Sequence, residues 1–181
     1  MSCSFFAIGD WGEDGRQLQH LAAGMAHYAQ TNVNGPPDWI AALGDNFYPH
    51  GVPAHGVRCG ACGLEGPQCC ALYDANNLTS FEFRFWEQAF LQHQVLRVPW
   101  RVVLGNHDYE GSVEAQIAFT RSAANPSQLW VMPDRCHSFT SPTGLAHFCF
   151  FDACCCQWSG KGYFLIALHI CCYYSVGHTY G

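Results

Sequence analysis

The chain has 181 residues, of which 49% are hydrophobic and 12% are charged, and its formal net charge is −6. This composition predicts one globular domain with a sizeable core and excludes a disordered chain. Lys and Arg together number only 8, so there is no basic stripe and nucleic acid is not expected as a partner. No apolar run reaches the roughly 18 residues of a membrane-spanning helix, and residues 1–6 lack the basic start and apolar stretch of a signal peptide.

The predicted elements alternate between strands and helices through the first half of the chain, which indicates the α/β class. Thr79 and Ser112 are each expected to cap the start of a helix, because their hydroxyls can accept from a free backbone N–H. Strands are expected at residues 4–8, 39–43, 101–104, 136–140, 145–152 and 162–169. Helices are expected at residues 15–30, from 79 through 90, and at 113–122.

Twelve cysteines are present, a density that indicates an oxidising compartment or metal binding. Residues 53–78 form a predicted insert rich in glycine and proline within a single domain that spans residues 1–181. Four cysteines of the insert could form disulfides, bind a tetrahedral zinc ion or remain unpaired thiols. These four are Cys59, Cys62, Cys69 and Cys70.

Three short polar motifs each follow an apolar run that reads as a buried strand. They occupy residues 9–12 (GDWG), 44–48 (GDNFY) and 105–108 (GNHD). In open α/β sheets, ligands bind beyond the carboxyl ends of the strands. The motifs therefore predict that carboxylates, a phenol, a carboxamide and an imidazole gather at one rim, where they suit a hard or borderline metal.

Within these motifs, Asp45 is the candidate with the broadest role, because a carboxylate has two oxygens and can bridge two metals. Two metals about 3.5–4 Å apart clamp an in-line displacement at phosphorus. Asp10 would bind one metal and Asn106 the other, and Tyr48 could bind the first as a phenolate beside a strong Lewis acid such as ferric iron. The alternative is that these residues only cap turns, as Asp and Asn commonly do.

Several histidines lie at or near the predicted rim. His107 could protonate a leaving alkoxide or hold a phosphoryl oxygen, and its alternative is a surface loop position. His169 follows an apolar run and is a candidate metal ligand, unless it is a core histidine. His178 could be a second acid or a terminal residue without a role. His50 and His55 lie near the predicted entrance and could contact substrate.

These motifs resemble the purple acid phosphatases, of the small tartrate-resistant type, within the calcineurin-like metallophosphoesterase superfamily. Residues 99–108 and 111–117 carry the resemblance further. It implies a four-layer sandwich of two sheets flanked by helices, with a dinuclear metal centre at the strand ends. It also implies hydrolysis of phosphate monoesters at acidic pH, with small phosphorylated molecules or phosphoproteins as substrates, and a secreted or lysosomal location.

The resemblance assigns roles to particular residues. The cofactors it implies are Fe(III) and a second divalent metal, which is iron, zinc or manganese. By resemblance, the ferric ion is held by Asp10 and Tyr48, the second metal by Asn106 and His169, and Asp45 bridges the two. His107 and His178 are implied to contact phosphate or to protonate the leaving group.

Other features depart from the family. Its members continue to a Gly-His-x-His motif, whereas this chain stops at Gly181, so each metal would lack one ligand and the chain is expected to be incomplete at its C-terminus. Leu168 and Cys171 stand where glycine and proline are usual. The alternative function is therefore an impaired or inactive Cys-rich scaffold derived from a phosphatase. A phosphodiesterase or protein phosphatase of the superfamily is disfavoured by the Asp10-Trp11 and Phe47-Tyr48 pairs.

Overall fold

A computed structural model describes residues 3–13, 15–32, 35–53, 81–153 and 167–172, with the backbone alone described for Phe81 and for the last of these ranges. The predicted α/β class is confirmed by a parallel sheet, a separate antiparallel sheet and the helices beside them. Residues 54–78 of the predicted insert lie outside the described ranges, so the alternatives for its cysteines stay predictions. Within those ranges, every helix is too short or too polar to span a bilayer.

The described strands form two sheets. The first has the strand order β1-β2-β3-β4 and is parallel throughout, and the second has the order β5-β6-β7 and is antiparallel. The first sheet consists of β1 (Phe5–Ile8), β2 (Trp39–Leu43), β3 (Trp100–Val103) and β4 (Trp130–Val131). The second consists of β5 (His137–Thr140), β6 (Ala146–Phe151) and β7 (Ala167–Cys172).

Strand β2 is buried on both faces, which explains its uninterrupted apolar sequence. Ile40 and Ala42 lie in the core on the helical side of the first sheet. Trp39 and Ala41 face the second sheet, where the Trp39 ring packs edge-on against Phe148 with centroids 4.8 Å apart. Because successive side chains alternate across a strand, this one strand ties the two core regions together.

The helices cover the other face of the parallel sheet. Helix α1 (Arg16–Thr31) buries Leu18, Ala22, Ala26 and Ala29 along one stripe, as helical periodicity requires. Helix α2 (Phe81–Trp86) continues as a π-helix over Glu87–Leu91. Helix α3 is Val113–Phe119, and short 3₁₀ helices span Gln94–Leu96, His107–Glu110 and Pro126–Gln128.

Most of the predicted elements are present, with shifts at their ends. The predicted bounds of β2 are confirmed, and Ser112 caps α3 by accepting a hydrogen bond from the backbone N–H of Ala115 at 3.1 Å. The prediction that the last strand ends at His169 is wrong. Strand β7 continues to Cys172 because it pairs with β6 along its whole length, and Ala146, the first residue of β6, lies opposite Cys172.

His137 ties the second sheet to the first. Its ring stacks on Phe150 at 4.8 Å, and its Nε2 lies 2.9 Å from the backbone oxygen of Val102 in β3. A carbonyl oxygen only accepts, so Nε2 carries the proton. Burial lowers the pKa of His137, and Arg101 lowers it further, against the opposing effects of the Val102 carbonyl and of Asp134.

His137 should therefore make the fold less stable in acid. Because the pKa of His137 is lower in the folded than in the unfolded chain, the unfolded chain takes up a proton more readily in acid. The stability of the fold is therefore complete above the ordinary histidine pKa of about 6.5 and is lost as the pH falls below it. In urea unfolding followed at neutral and mildly acidic pH, we expect His137→Gln to lose less stability on acidification than the wild type. An equal loss in the two proteins would contradict this account.

Candidate metal centre

The three polar motifs lie at the carboxyl ends of β1, β2 and β3, which are neighbours in the parallel sheet. Backbone hydrogen bonds join the first two loops. The N–H of Asp10 donates to the oxygen of Gly44 at 3.2 Å, and the N–H of Gly12 donates to the oxygen of Asp45 at 3.2 Å. The N–H of Tyr48 returns a bond to the oxygen of Gly12 at 3.1 Å. The predicted meeting of these loops at one edge is confirmed.

Two glycines allow the loops to approach this closely. A Cβ on Gly12 would lie 2.3 Å from the backbone of Asn46, and one on Gly105 would lie 2.0 Å from the Oδ1 of Asp45. Neither distance is possible between real atoms, so a side chain at either position would push the loops apart. Glycine is therefore required in the first and third motifs by the packing of the site.

Asp45 is the hub of the polar cluster. Its Oδ2 accepts from the Tyr48 hydroxyl at 2.7 Å, and its Oδ1 accepts from the backbone N–H of His107 at 3.1 Å. The Asn106 amide, turned with its nitrogen toward Asp45, donates to both carboxylate oxygens at 3.2 and 3.3 Å. The Tyr48 hydroxyl also lies 2.9 Å from the Oδ1 of Asp10. Residues from all three loops thus gather around one carboxylate.

Both carboxylates of the cluster are held by strained backbone. Asp10 has a φ of 54° and Asp45 a φ of 50°, the left-handed region that residues other than glycine seldom occupy. Such conformations persist only where the surroundings enforce them, and they concentrate at functional sites. Asp tolerates this region better than most residues do, and Ser127 and Gln128 adopt it in a turn elsewhere in the described part of the chain.

The electrostatics of the cluster favour a cation. Burial, together with the hydrogen bonds to Asp45 and Asp10, raises the pKa of the Tyr48 phenol far above its ordinary value of about 10. The phenol therefore keeps its proton between the two carboxylates. Only a strong positive charge would release that proton, because a coordinating cation reverses the local preference for the neutral form.

The donor chemistry fits a hard metal ion. Carboxylate, phenol and amide oxygens are ligands that hard cations prefer, and two carboxylates of this cluster share one proton donor, as described above. Within the described ranges, no three residues drawn from His, Cys, Asp and Glu gather closely enough to hold a metal. The cluster instead combines Asp10 and Asp45 with Tyr48 and Asn106. Tyrosine and asparagine also offer oxygen ligands, but they are not among those four residue types.

A third carboxylate, which is fully buried, lies beneath the cluster. Asp108 accepts from the backbone N–H of Gly105 at 2.8 Å, from the Nε2 of Gln116 at 2.8 Å, and from the backbone N–H and side-chain amide of Asn46 at 3.1–3.2 Å. Burial raises the pKa of Asp108 to about 6, although these donors oppose the rise. No role of Asp108 is predicted from the sequence, and the polar Gln116 on the buried face of α3 is the one signal that could indicate its network.

A second network fastens the third loop to the antiparallel sheet. The Tyr109 hydroxyl, from the 3₁₀ turn that follows Asn106, donates to the buried Asp152 at the end of β6. Arg135 donates to the same hydroxyl at 3.3 Å and to the Oε1 of Glu114 at 2.9 Å. The Tyr109 side chain thereby anchors the turn that carries His107 to residues next to β5 and β6.

The remaining predicted residues have different placements. His107 lies at the rim, its ring 4.4 Å from that of Tyr48 between centroids and its Nδ1 2.6 Å from the backbone oxygen of Pro49. His169 lies within β7, opposite Cys149 of β6, and only its backbone is described. His178 and His55 fall outside the described residues, so their predicted roles stay predictions.

Sequence comparisons relate the chain to the tartrate-resistant and purple acid phosphatases. No protein-family model matches the chain. The chain is 34% identical over 132 residues to tartrate-resistant acid phosphatase type 5 of Rattus norvegicus, and this alignment covers 71% of the chain and 32% of the relative. It is 33% identical over 154 residues to purple acid phosphatase 7 of Arabidopsis thaliana, and that alignment covers 83% of the chain and 37% of the relative. The chain therefore spans about a third of the length of these curated relatives.

Among solved structures, GAP50, described as the anchor in the inner membrane complex of Plasmodium, aligns with a TM-score of 0.48 and 20% identity. That alignment covers 81% of this chain and 39% of the other.

Replacing Asp108 tests whether its network holds the loops. In Asp108→Asn, one acceptor oxygen becomes an NH₂ donor that faces other donors, so we expect the free energy of unfolding at neutral pH to fall by about 3 kcal/mol. Urea denaturation measures the loss. The control is Asp134→Asn, an exposed aspartate whose carboxylate accepts from the backbone of Arg135. Equal stabilities of the two variants would contradict the role given to Asp108.

Proposed function

Because this chain is related by sequence to the tartrate-resistant and purple acid phosphatases, we propose that it hydrolyses phosphate monoesters at a dinuclear metal centre. The proposal extends to a metallophosphoesterase-type four-layer sandwich, in which the two described sheets are the inner layers. It also extends to substrates that are small phosphorylated molecules or phosphoproteins. One observation carries it, which is the Tyr48 phenol held between the carboxylates of Asp10 and Asp45.

In this proposal the described cluster would hold the metals. Asp10 and Tyr48 would hold Fe(III), Asn106 and His169 would hold the second, divalent metal, and Asp45 would be shared by the two. When bound, the two metals would supply Lewis acidity and a nucleophile from water. The carboxamide of Asn106 binds a cation through its oxygen, so its amide would turn away from the hydrogen bonds that it makes to Asp45.

His107 is the proposed acid at the rim. Its Nδ1 lies 2.6 Å from the Pro49 carbonyl oxygen, which can only accept, so Nδ1 carries a proton in every form of the ring. Its Nε2 is then the atom that holds a phosphoryl oxygen or gives a proton to the leaving oxygen. The backbone of His107 is fixed to Asp45, which places that imidazole beside the cluster. His178 is proposed as a second contact of the same kind.

Hydrolysis of an aryl phosphate by the chain loaded with iron and zinc tests the proposal. We expect activity at acidic pH that falls at least 100-fold in Asp45→Asn, because the bridging group is worth several kcal/mol of charge stabilisation. Glu13→Gln is the control, since Glu13 is an exposed carboxylate directly after the first motif. A chain that takes up both metals without hydrolysing the ester would instead be the phosphatase-derived scaffold.

The visible spectrum of the iron-loaded chain tests the first metal site independently of activity. If Tyr48 binds ferric iron as a phenolate, a broad tyrosinate-to-iron band should appear and should be lost in Tyr48→Phe. Tyr28→Phe is the control, because Tyr28 is an exposed tyrosine on α1. A band that survives in Tyr48→Phe would remove Tyr48 from the proposed ligands.

A further inference from the structure

A second histidine at the rim is held in the same way as His107. The Nδ1 of His50 lies 2.5 Å from the Oε2 of Glu110, and the Oε1 of the same carboxylate lies 3.9 Å from the Nδ1 of His107. Glu110 therefore stands between the two imidazoles. An ionised carboxylate only accepts, so the Nδ1 of His50 carries a proton. Its Nε2 can then accept from a hydroxyl when the ring is neutral, or donate to an anionic oxygen when the ring is an imidazolium.

The backbone fixes this pair in place. Side chains that are half exposed, as His50 and Glu110 are, gain little from an ion pair unless their geometry is set in advance. Here a Cβ on Gly111 would lie 2.6 Å from the backbone oxygen of His50, and one on Gly51 would lie 2.7 Å from that of Asp108. The N–H of Ser112 also donates to the oxygen of Val52 at 2.6 Å. The two loops are thus pressed together at the residues that carry the pair.

We propose that Glu110 is a positioning residue that holds His50, and that His50 is a second imidazole contact for the phosphate beside His107. This inference rests on the proposed phosphatase function and adds a substrate-binding residue to it. His50 is two residues from Tyr48 in the chain, and its partner Glu110 also lies 3.9 Å from the Nδ1 of His107, so we assign the pair to the rim beside the cluster. The substrate class is a phosphate monoester whose phosphoryl oxygens reach both imidazoles.

The ring nitrogens of His50 test the positioning role without any catalysis. In ¹⁵N NMR of the full chain, we expect neutral His50 in the Nδ1–H form in the wild type and a shift toward the Nε2–H form in Glu110→Ala, which removes the accepting oxygens. Glu114→Ala is the matched control, because Glu114 is an exposed glutamate four residues away that pairs with Arg135. Signals of His50 that are unchanged in Glu110→Ala would overturn the positioning role.

Binding of inorganic phosphate tests the substrate contact. In calorimetry on the chain loaded with iron and zinc, we expect His50→Ala to raise the Kd for phosphate about fivefold, the effect of one hydrogen bond. The metal content should not change, and His27→Ala, on the exposed side of α1, should bind like the wild type.

The outcomes separate this inference from the proposed function. The wild-type chain could hydrolyse aryl phosphate while His50→Ala leaves the Kd for phosphate unchanged. That result would support the proposed function and overturn the His50 contact. A wild-type chain that holds both metals but neither binds nor hydrolyses phosphate esters would overturn both.

Discussion

The buried carboxylate of Asp108 joins the two loops on which the site depends. It accepts from the backbone and side chain of Asn46 in the loop after β2, and from the backbone of Gly105 in the loop after β3. A charge this deep is tolerated only because several donors surround it. Asp45 directly precedes Asn46 in the chain, and Asn106 directly follows Gly105. The hydrogen bonds that stabilise the buried Asp108 charge therefore also set the spacing of the candidate ligands.

Above that network, the fold accumulates negative charge at one edge of the parallel sheet. Two aspartates in left-handed backbone face one phenol, whose pKa is raised by burial and by its hydrogen bonds to them, and tightly packed glycines keep the loops close. The left-handed backbone costs stability, and burial opposes the ionised form of the phenol. A cation would favour release of the phenol proton, and the packed loops would then form a preorganised set of ligands.

Sequence patterns predicted what is encoded locally. The apolar run of β2 and the Ser112 cap involve residues close in the chain, and the three motifs were placed together because parallel strands end at one edge. Longer-range features were not predictable. Glu110 meets a histidine 60 residues away. The buried Gln116 accepts a hydrogen bond from Asn46, which lies 70 residues away in the chain. Strand β4 has two residues, too few for any periodicity to show.

The central claim is that these three loops form one metal-binding cluster, and the position of the bound metal tests it most directly. Anomalous diffraction at the iron edge, from crystals of the chain grown with iron, would locate the ion without reference to activity. The account predicts a peak within bonding distance of oxygens from Asp10, Asp45 and Tyr48. A peak confined to the cysteines, or no peak at the strand ends in crystals that contain stoichiometric iron, would contradict it.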